Sequence, residues 1–457
     1  MSRMDTNSLS EDPSVHQELN RAEYLNSQDS LLRVEISDIE RSGEYFYTTG
    51  ILRRCNQQVL KPYWRLLIFI SWRPFARDRV LRTCRYTVWN VFYPCIITLL
   101  LLFSYMYSVL VCTSPTVVLK SRIIDLQSVN LTDLEHAHKR EYCRDIFSIS
   151  ILPNILHFLV FLYGFWYIRI QENEQIYALI EQVFLQANPM QRGSVTQGAI
   201  IKSLRLILVC GALWTFSTVG INGFYLPVFT YKKSTWKPSH SSSNSMTIVL
   251  LVIELLGKTL QHLIDTAVVV NFTVQCEVIM YYMKIIGTRM QEKSSELKTI
   301  MNDILRVKQS VTRLNGPIGS MTSLCIFYFA LRFVVGLSIL INNHGERKTM
   351  VWIYWCLYCF IWFVIMIFPL YQAARVNATC DMYQQEGHEV RVFGYHSSTQ
   401  AELDSFLLFI TSAKLKVKLF CLPIKQAYIC IGFVVGSFTL VILLLANIIR
   451  PNDLLFF

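Results

Sequence analysis

One long apolar stretch of the sequence contains four ionisable side chains at helical spacing. They are separated by four, four and three residues, so on an α-helix they share a stripe about 80° wide: Glu254, Lys258, His262 and Asp265. An ionisable group in hydrocarbon costs about 2.5 to 3.5 kcal/mol on insertion scales, so this stripe must face protein, water or a partner. The pattern predicts either a structural charge network between helices or a pocket for a polar ligand or ion. It has none of the arrangements typical of an active site, so we expect neither enzymatic activity nor a cofactor.

Two residues of other apolar stretches extend this candidate pocket. If the stretches that contain Glu254 and Arg332 run antiparallel, both side chains lie in the outer half of the membrane, at roughly 10 Å depth. We therefore predict that Glu254 pairs with Arg332 and that the rest of the stripe points into a polar cavity. Trp214 lies about eight residues inside its stretch, deeper than the aromatic belt at span ends, and is a further candidate pocket residue.

The last apolar stretch also contains polar side chains. Gly432 and Gly436 permit close helix approach, and Thr439 and Asn447 follow. An amide near the hydrocarbon edge has no lipid partner and should face protein or water. Asn447 is therefore either an interfacial cap of an ordinary span or a residue that lines a water-filled path.

The composition indicates that membrane spans position these residues. The chain has 457 residues, of which 53% are hydrophobic and only 16% charged, whereas a soluble core of this size would need more charge. We predict an all-α membrane protein with seven transmembrane helices, at about 87–112, 146–168, 206–229, 247–274, 317–341, 351–371 and 427–449.

The charge distribution predicts an intracellular N-terminus. In that orientation the inner segments contain about 30 of the 43 Lys and Arg residues, as the positive-inside rule requires. The start of the chain has no apolar signal-peptide core. The first outer loop then contains Asn130, in the glycosylation sequence Asn130-Leu131-Thr132.

The thirteen cysteines do not form metal-binding clusters in the sequence. Cys356 and Cys359 have the spacing of a ligand pair, but they lie in a span without a second pair, so we expect them to pack. Cys112 and Cys143 bracket the first outer loop. They form either a disulfide that closes this loop or two free interfacial cysteines.

The segments between the spans divide the chain into four regions. Residues 1–50 are polar and predicted to be mostly disordered. Residues 51–86 interleave basic and aromatic side chains around an apolar run too short to span. They predict an interfacial or re-entrant helix whose partners are anionic lipid headgroups rather than nucleic acid. Residues 87–426 contain helices 1–6 with inner helical extensions at 275–316 and 372–426, and residues 427–457 contain helix 7 and a short extracellular end.

This layout resembles the insect odorant and gustatory receptor superfamily. Its members are seven-span chemoreceptors with an inner N-terminus that form tetrameric ligand-gated cation channels. Gustatory-type receptors have Thr-Tyr, five apolar residues and Gln-Phe in the seventh span. The same register here has Thr439-Leu440, the apolar residues 441–445 and Ala446-Asn447. The threonine and the apolar run match, whereas the Tyr, Gln and Phe are replaced.

The resemblance implies a function and a set of site residues. The chain would be a gustatory-receptor-like, non-selective cation channel of the plasma membrane whose partners are a small-molecule ligand, other subunits of a tetramer and membrane lipids. The inner extensions would form the anchor where subunits meet. The pore and gate would be formed by Thr439, Leu444, Leu445 and Asn447. The ligand pocket, among helices 2–6, would include Glu254, Lys258, His262, Arg332 and Trp214.

Two other classes of membrane protein stay open. A G-protein-coupled receptor also has seven spans, but it needs an outer N-terminus and shows Asp-Arg-Tyr and Asn-Pro-x-x-Tyr motifs that this sequence lacks. A small-solute transporter would suit the charged fourth span, although seven spans divide poorly into repeats.

Overall fold

The chain divides into two compact units, Met1–Cys55 and Asn56–Phe457, and the elements below lie in the second. The structure, a computed structural model, describes residues 53–75, 84–113, 147–170, 179–181, 183, 197–230, 243–293, 295–342, 349–393, 395, 398–413, 415–428 and 430.

Helices account for nearly all of the regular structure in these residues. In chain order they are α1 (Lys61–Phe69), α2 (Cys84–Thr113), α3 (Leu152–Gly164), α4 (Gln197–Thr230), α5 (Ser243–Gln291), α6 (Leu297–Arg313), α7 (Gly319–Asn342), α8 (Thr349–Phe393) and α9 (Gln400–Ala413). Short π-helical segments precede α1 (Asn56–Leu60), flank α3 (Phe147–Ile151 and Phe165–Ile170) and precede α7 (Leu314–Ile318). A two-stranded antiparallel hairpin, β1 (Lys418–Leu419) and β2 (Leu422–Pro423), follows α9.

Five helical segments in the described part of the chain are long and apolar enough to cross a membrane: Val88–Val109, Gly198–Gly223, Val249–Gln291, Leu297–Leu340 and Ile353–Glu389. The chain is therefore a multi-pass membrane protein. Within the described residues, helices occupy the first six of the seven predicted spans. The predicted seventh span, 427–449, lies almost wholly outside the described residues, so the count of seven stays a prediction.

The central helix of the bundle is α5. Its most apolar window is 94% buried, against 22% for the corresponding windows of α2 and α4. It packs against α2, α4, α6, α7 and α8. At the contact with α2, a Cβ atom on Gly257 would lie 2.5 Å from the Cβ of Ser104, so glycine permits the close approach of the two helices. The polar stripe predicted from sequence lies on this central helix.

The short helix α1 is fixed against the ends of α2 and α3. The indole of Trp72 is fully buried. It packs directly on Gly164, where an added Cβ atom would lie only 2.3 Å from the ring. The guanidinium of Arg169 donates to the carbonyl oxygen of Ser71 at 2.7 Å, and Tyr93 donates to the carbonyl of Phe69 at 2.5 Å. A short helix within the predicted segment 51–86 thus packs against the bundle, and its interfacial or re-entrant position stays a prediction.

The long helices α5 and α8 continue beyond the predicted spans and pack there with α6 and α9. Arg289 of α5 lies 3.4 Å from Asp303 of α6, and Arg375 of α8 lies 3.3 Å from Glu277 of α5. The helix α6 is amphipathic, and it joins α7 through a kink at Gly316, which has ψ −122°. These contacts form a helical bundle in the described residues, and its cytoplasmic side and role as an anchor stay predictions.

The segment 415–424, here called the strap, connects this bundle to the predicted seventh span. The side chain of Asn377 donates to the carbonyls of Val417 at 2.9 Å and Ile424 at 2.8 Å, and accepts from the amide of Val417 at 2.7 Å. Asn315 makes two similar bonds, to the carbonyl of Lys416 and the amide of Lys418, each 2.8 Å long. Two asparagines thus fix the strap to α8 and to the start of α7.

Candidate functional site

The centre of the candidate site is the carboxylate of Asp265, which is fully buried on α5. Its Oδ1 lies 3.3 Å from Nε2 of His157 on α3, and its Oδ2 lies 3.8 Å from Nδ1 of His262, one helical turn away. Both imidazoles are also buried, with exposed fractions of 1% and 4%. The site is therefore a carboxylate between two histidines inside the bundle.

The contacts of His157 determine its tautomer. In the part of the chain that the structure describes, its Nε2 faces two acceptors, the carbonyl oxygen of Gln261 at 3.2 Å and the carboxylate of Asp265, so this nitrogen carries the proton. Its Nδ1 lies 2.5 Å from the hydroxyl of Tyr105 on α2. In the neutral imidazole, this nitrogen accepts a hydrogen bond from the phenolic hydroxyl of Tyr105. The imidazole thus connects α2, α3 and α5 by hydrogen bonds.

The second histidine makes different contacts. The amide nitrogen of Asn222 on α4 lies 2.8 Å from Nε2 of His262 and donates to it, which leaves the proton of the neutral ring on Nδ1. This Nδ1 and Oδ2 of Asp265 are both buried, and neither has a hydrogen-bond partner among the described residues. At 3.8 Å the two atoms attract electrostatically but do not form a hydrogen bond.

Aromatic rings surround His262. The ring of Trp214 on α4 lies edge-on to it at 5.7 Å between centroids, and the ring of Trp362 on α8 lies at 5.9 Å. Trp362 also contacts Tyr328 of α7 at 5.5 Å, and Tyr328 contacts His157 at 5.1 Å. These rings link α3, α4, α5, α7 and α8 around the two histidines.

Arg332 lies on a separate branch of the polar network. Its Nη2 donates to Oδ1 of Asn154 on α3 at 3.0 Å, and its Nε donates to the hydroxyl of Tyr328 at 3.3 Å. Asn154 in turn donates to Ser108 of α2 at 3.1 Å. These contacts direct Arg332 toward α3, because the face of α7 that contains it lies against that helix. The predicted pair between Glu254 and Arg332 stays a prediction.

The structure separates the predicted stripe into two parts. His262 and Asp265 are buried among helices, and the polar cavity predicted beside them stays a prediction. Glu254 and Lys258 are half-buried. Glu254 lies about 16 Å from Asp265 along the helix axis. Of the predicted pocket residues, Trp214 and His262 are in direct contact. Arg332 instead contacts Tyr328, and Tyr328 contacts His157.

Sequence reasoning missed most partners of this network. They are Tyr105, Asn154, His157, Gln261, Tyr328 and Trp362. The same rule that identified the stripe on α5 applies to two of them, because Asn154 and His157 are polar residues three apart in an apolar span. A tryptophan in the middle of the sixth span could likewise have been compared with Trp214. Tyr105 and Gln261 give no comparable signal, since their role depends on which helices meet.

Most of the other predicted site residues lie outside the described part of the chain. Thr439, Leu444, Leu445 and Asn447 lie outside the described residues, and so do Asn130 and Cys143. Cys112 lies near the end of α2, and its pairing with Cys143 stays a prediction.

Comparisons with known proteins identify the fold. No protein-family model matches the sequence, and no curated protein matches it. Solved structures of the insect olfactory receptor OR5 from Machilis hrabei are similar to this chain. One has a TM-score of 0.55 and 14% identity, and the similarity covers 85% of this chain and 98% of the receptor chain. The other, in complex with eugenol, has a TM-score of 0.53 and 13% identity, with 85% and 99% of the two chains covered. The resemblance stated from the sequence is thus confirmed for the fold, and the chain has the fold of an insect olfactory receptor.

Proposed function

We propose that this protein is a chemosensory, ligand-gated, non-selective cation channel. The single observation that carries the proposal is the similarity of fold, which extends over nearly the whole length of an olfactory receptor. In this proposal four subunits surround a pore lined by the helix predicted at 427–449, and the inner bundle of α5, α6, α8 and α9 anchors the subunits. Location in the plasma membrane belongs to the same proposal.

The ligand pocket in this proposal lies beside the aromatic rings around His262. One of the similar structures holds eugenol, which supports a small organic ligand here as well. The indole nitrogen of Trp214 is buried and has no hydrogen-bond partner among the described residues. Together with Nδ1 of His262 and Oδ2 of Asp265, it offers a ligand two donors and one acceptor between aromatic faces. Glu254, Lys258 and Arg332 lie farther along the same bundle.

Ligand binding opens the pore only if the ligand has higher affinity for the open state. The network around His157 joins helices α2, α3 and α5, so a ligand that displaces a ring next to it changes the packing of the helices. We propose that this change reaches the pore helix through α8 and the strap, because Asn377 on α8 makes three hydrogen bonds to the strap.

The pocket is tested with currents in cells that express the full chain. A panel of small organic compounds first identifies an agonist. Trp214→Ala should then raise the agonist concentration for half-maximal current by about 10-fold or more, since an aromatic contact at the centre of a binding site contributes about 1–2 kcal/mol or more. The matched control is Trp166→Ala, because Trp166 is 45% exposed on the outside of the bundle. Equal shifts in the two variants would exclude the pocket from this place.

The pore is tested separately in the same cells. Asn447→Ala should change the relative permeability to different cations, and Leu445→Ala should increase current without agonist, because a hydrophobic constriction gates by dewetting. Unchanged permeation and gating in both variants would contradict the assignment of the pore.

The same recordings distinguish the channel from the two other classes of membrane protein. A ligand response that depends on G proteins and shows no conductance of its own would favour a G-protein-coupled receptor. Substrate accumulation without channel current would favour a transporter.

A further inference from the structure

Two pairs of exposed cations lie where α1 meets α4. Lys61 and Arg65 are exposed on α1, one turn apart, and Lys202 and Arg205 are exposed near the start of α4. The π-helical segment Asn56–Leu60 packs directly against α4. Neither α1 with this segment nor α4 contains an aspartate or glutamate in its sequence.

A shared apolar contact places the two pairs next to each other. Leu60 and Tyr63 of the α1 region line a small common cavity with Leu208 of α4. Lys61 lies between these first two residues in sequence, and Leu208 lies one turn beyond Arg205. Along their own helices, the two basic pairs therefore lie within two turns of this contact.

The carboxylate that reaches α4 at this level does not neutralise the junction. Glu277 of α5 accepts from the hydroxyl of Ser203 at 2.8 Å, and its other oxygen lies 3.3 Å from the guanidinium of Arg375. Its charge is thus balanced by an arginine of α8.

Large apolar side chains next to these cations are exposed on the outside of the helices, as is usual for lipid-facing residues. On α4, Leu206 is 62% exposed and Leu213 is 60% exposed, directly after the basic pair. On α1, Phe69 is 52% exposed and continues the face that contains Lys61 and Arg65, at intervals of four residues. Basic side chains followed by exposed apolar ones are typical of the boundary between headgroups and acyl chains.

We infer that this junction binds the headgroup of a membrane phospholipid that carries more than one negative charge, such as a phosphorylated inositol lipid. Four cations on two helices match a polyanionic headgroup, whereas a singly charged phosphatidylserine would neutralise only one of them. The basic side chains of α1 predicted lipid contact from the sequence alone. The structure adds Lys202 and Arg205, so the proposed site contains residues of two helices. Binding here does not depend on the proposed channel activity.

The test uses the purified full-length protein in a zwitterionic detergent and measures binding of short-chain phosphatidylinositol bisphosphate that carries a fluorophore. Each lysine or arginine near an anionic surface contributes about fivefold in affinity. The variant Lys61→Gln/Arg65→Gln/Lys202→Gln/Arg205→Gln should therefore bind at least about 100-fold more weakly. Wild-type affinity should fall with added salt, and short-chain phosphatidylserine should bind much more weakly than the inositol lipid.

The control variant neutralises four cations of α6 that are also exposed: Lys298→Gln/Arg306→Gln/Lys308→Gln/Arg313→Gln. It should bind as the wild type does. If the fourfold variant of the junction does not elute as folded protein, each of its two double variants replaces it, with an expected loss of about 25-fold. Equal loss in the control variant, or no loss at the junction, would overturn the site. Equal affinity for phosphatidylserine would overturn the requirement for a multiply charged headgroup.

Discussion

Asp265 is a buried carboxylate whose hydrogen-bonding histidine comes from another helix. It lies 3.3 Å from Nε2 of His157, whose other acceptor among the described residues is the carbonyl of Gln261. A hydrogen bond to a charged group contributes about 1.5–3 kcal/mol, and Asp265→Ala removes this bond while Nε2 keeps the carbonyl of Gln261. We therefore expect Asp265→Ala to lower the melting temperature of the purified protein strongly. Asp265→Asn should lower it less, because its amide oxygen still accepts from Nε2.

The control for this prediction is Asp381→Ala on the same bundle, since Asp381 is exposed. Its melting temperature should stay within about a degree of the wild type, because exposed substitutions usually change stability by less than 0.5 kcal/mol. A wild-type melting temperature for Asp265→Ala would show that the carboxylate contributes nothing to the packing of α3 on α5.

At the scale of single residues, the sequence predicted which side chains matter better than it predicted their partners. Helical periodicity placed His262 and Asp265 on one buried face, because that depends only on residues of one helix. It could not place Asn154 beside Arg332, since that contact depends on how α3 and α7 cross. The prediction that Glu254 pairs with Arg332 rests on estimated depth alone, and depth does not determine the direction in which a side chain faces.

At the scale of elements, the strap is the part of the chain whose position depends on few side chains. Its hairpin is only four paired residues long, and a two-stranded hairpin is marginally stable by itself. Asn377 is 3% exposed and makes three hydrogen bonds to the strap. The sequence gives no sign of this role, because an asparagine in a polar helical extension is ordinary. The helices themselves were predictable, since long apolar runs specify them locally.

We expect Asn377→Ala to loosen the strap while the helices stay intact. Each lost hydrogen bond is worth about 1 kcal/mol, and the freed amide and carbonyls of the strap stay partly buried. Hydrogen–deuterium exchange over residues 415–424 should therefore become faster by at least about 10-fold, while exchange in the core of α5 stays slow. Asn302→Ala on the exposed face of α6 is the control. Unchanged protection of the strap in Asn377→Ala would show that Asn315 and the hairpin are sufficient to hold it.

At the scale of the whole molecule, the charge distribution predicts the orientation. With an inner N-terminus, about 30 of the 43 Lys and Arg residues lie inside. This orientation also puts Asn130 outside, in the first outer loop. An antibody against a tag at the N-terminus should therefore bind only after cells are permeabilised. Removal of N-linked glycans should increase the mobility of the wild-type protein on a gel but not that of Asn130→Gln. A tag that is accessible on intact cells would invert the topology, move the basic junction of α1 and α4 to the outer leaflet, and favour a G-protein-coupled receptor over a channel.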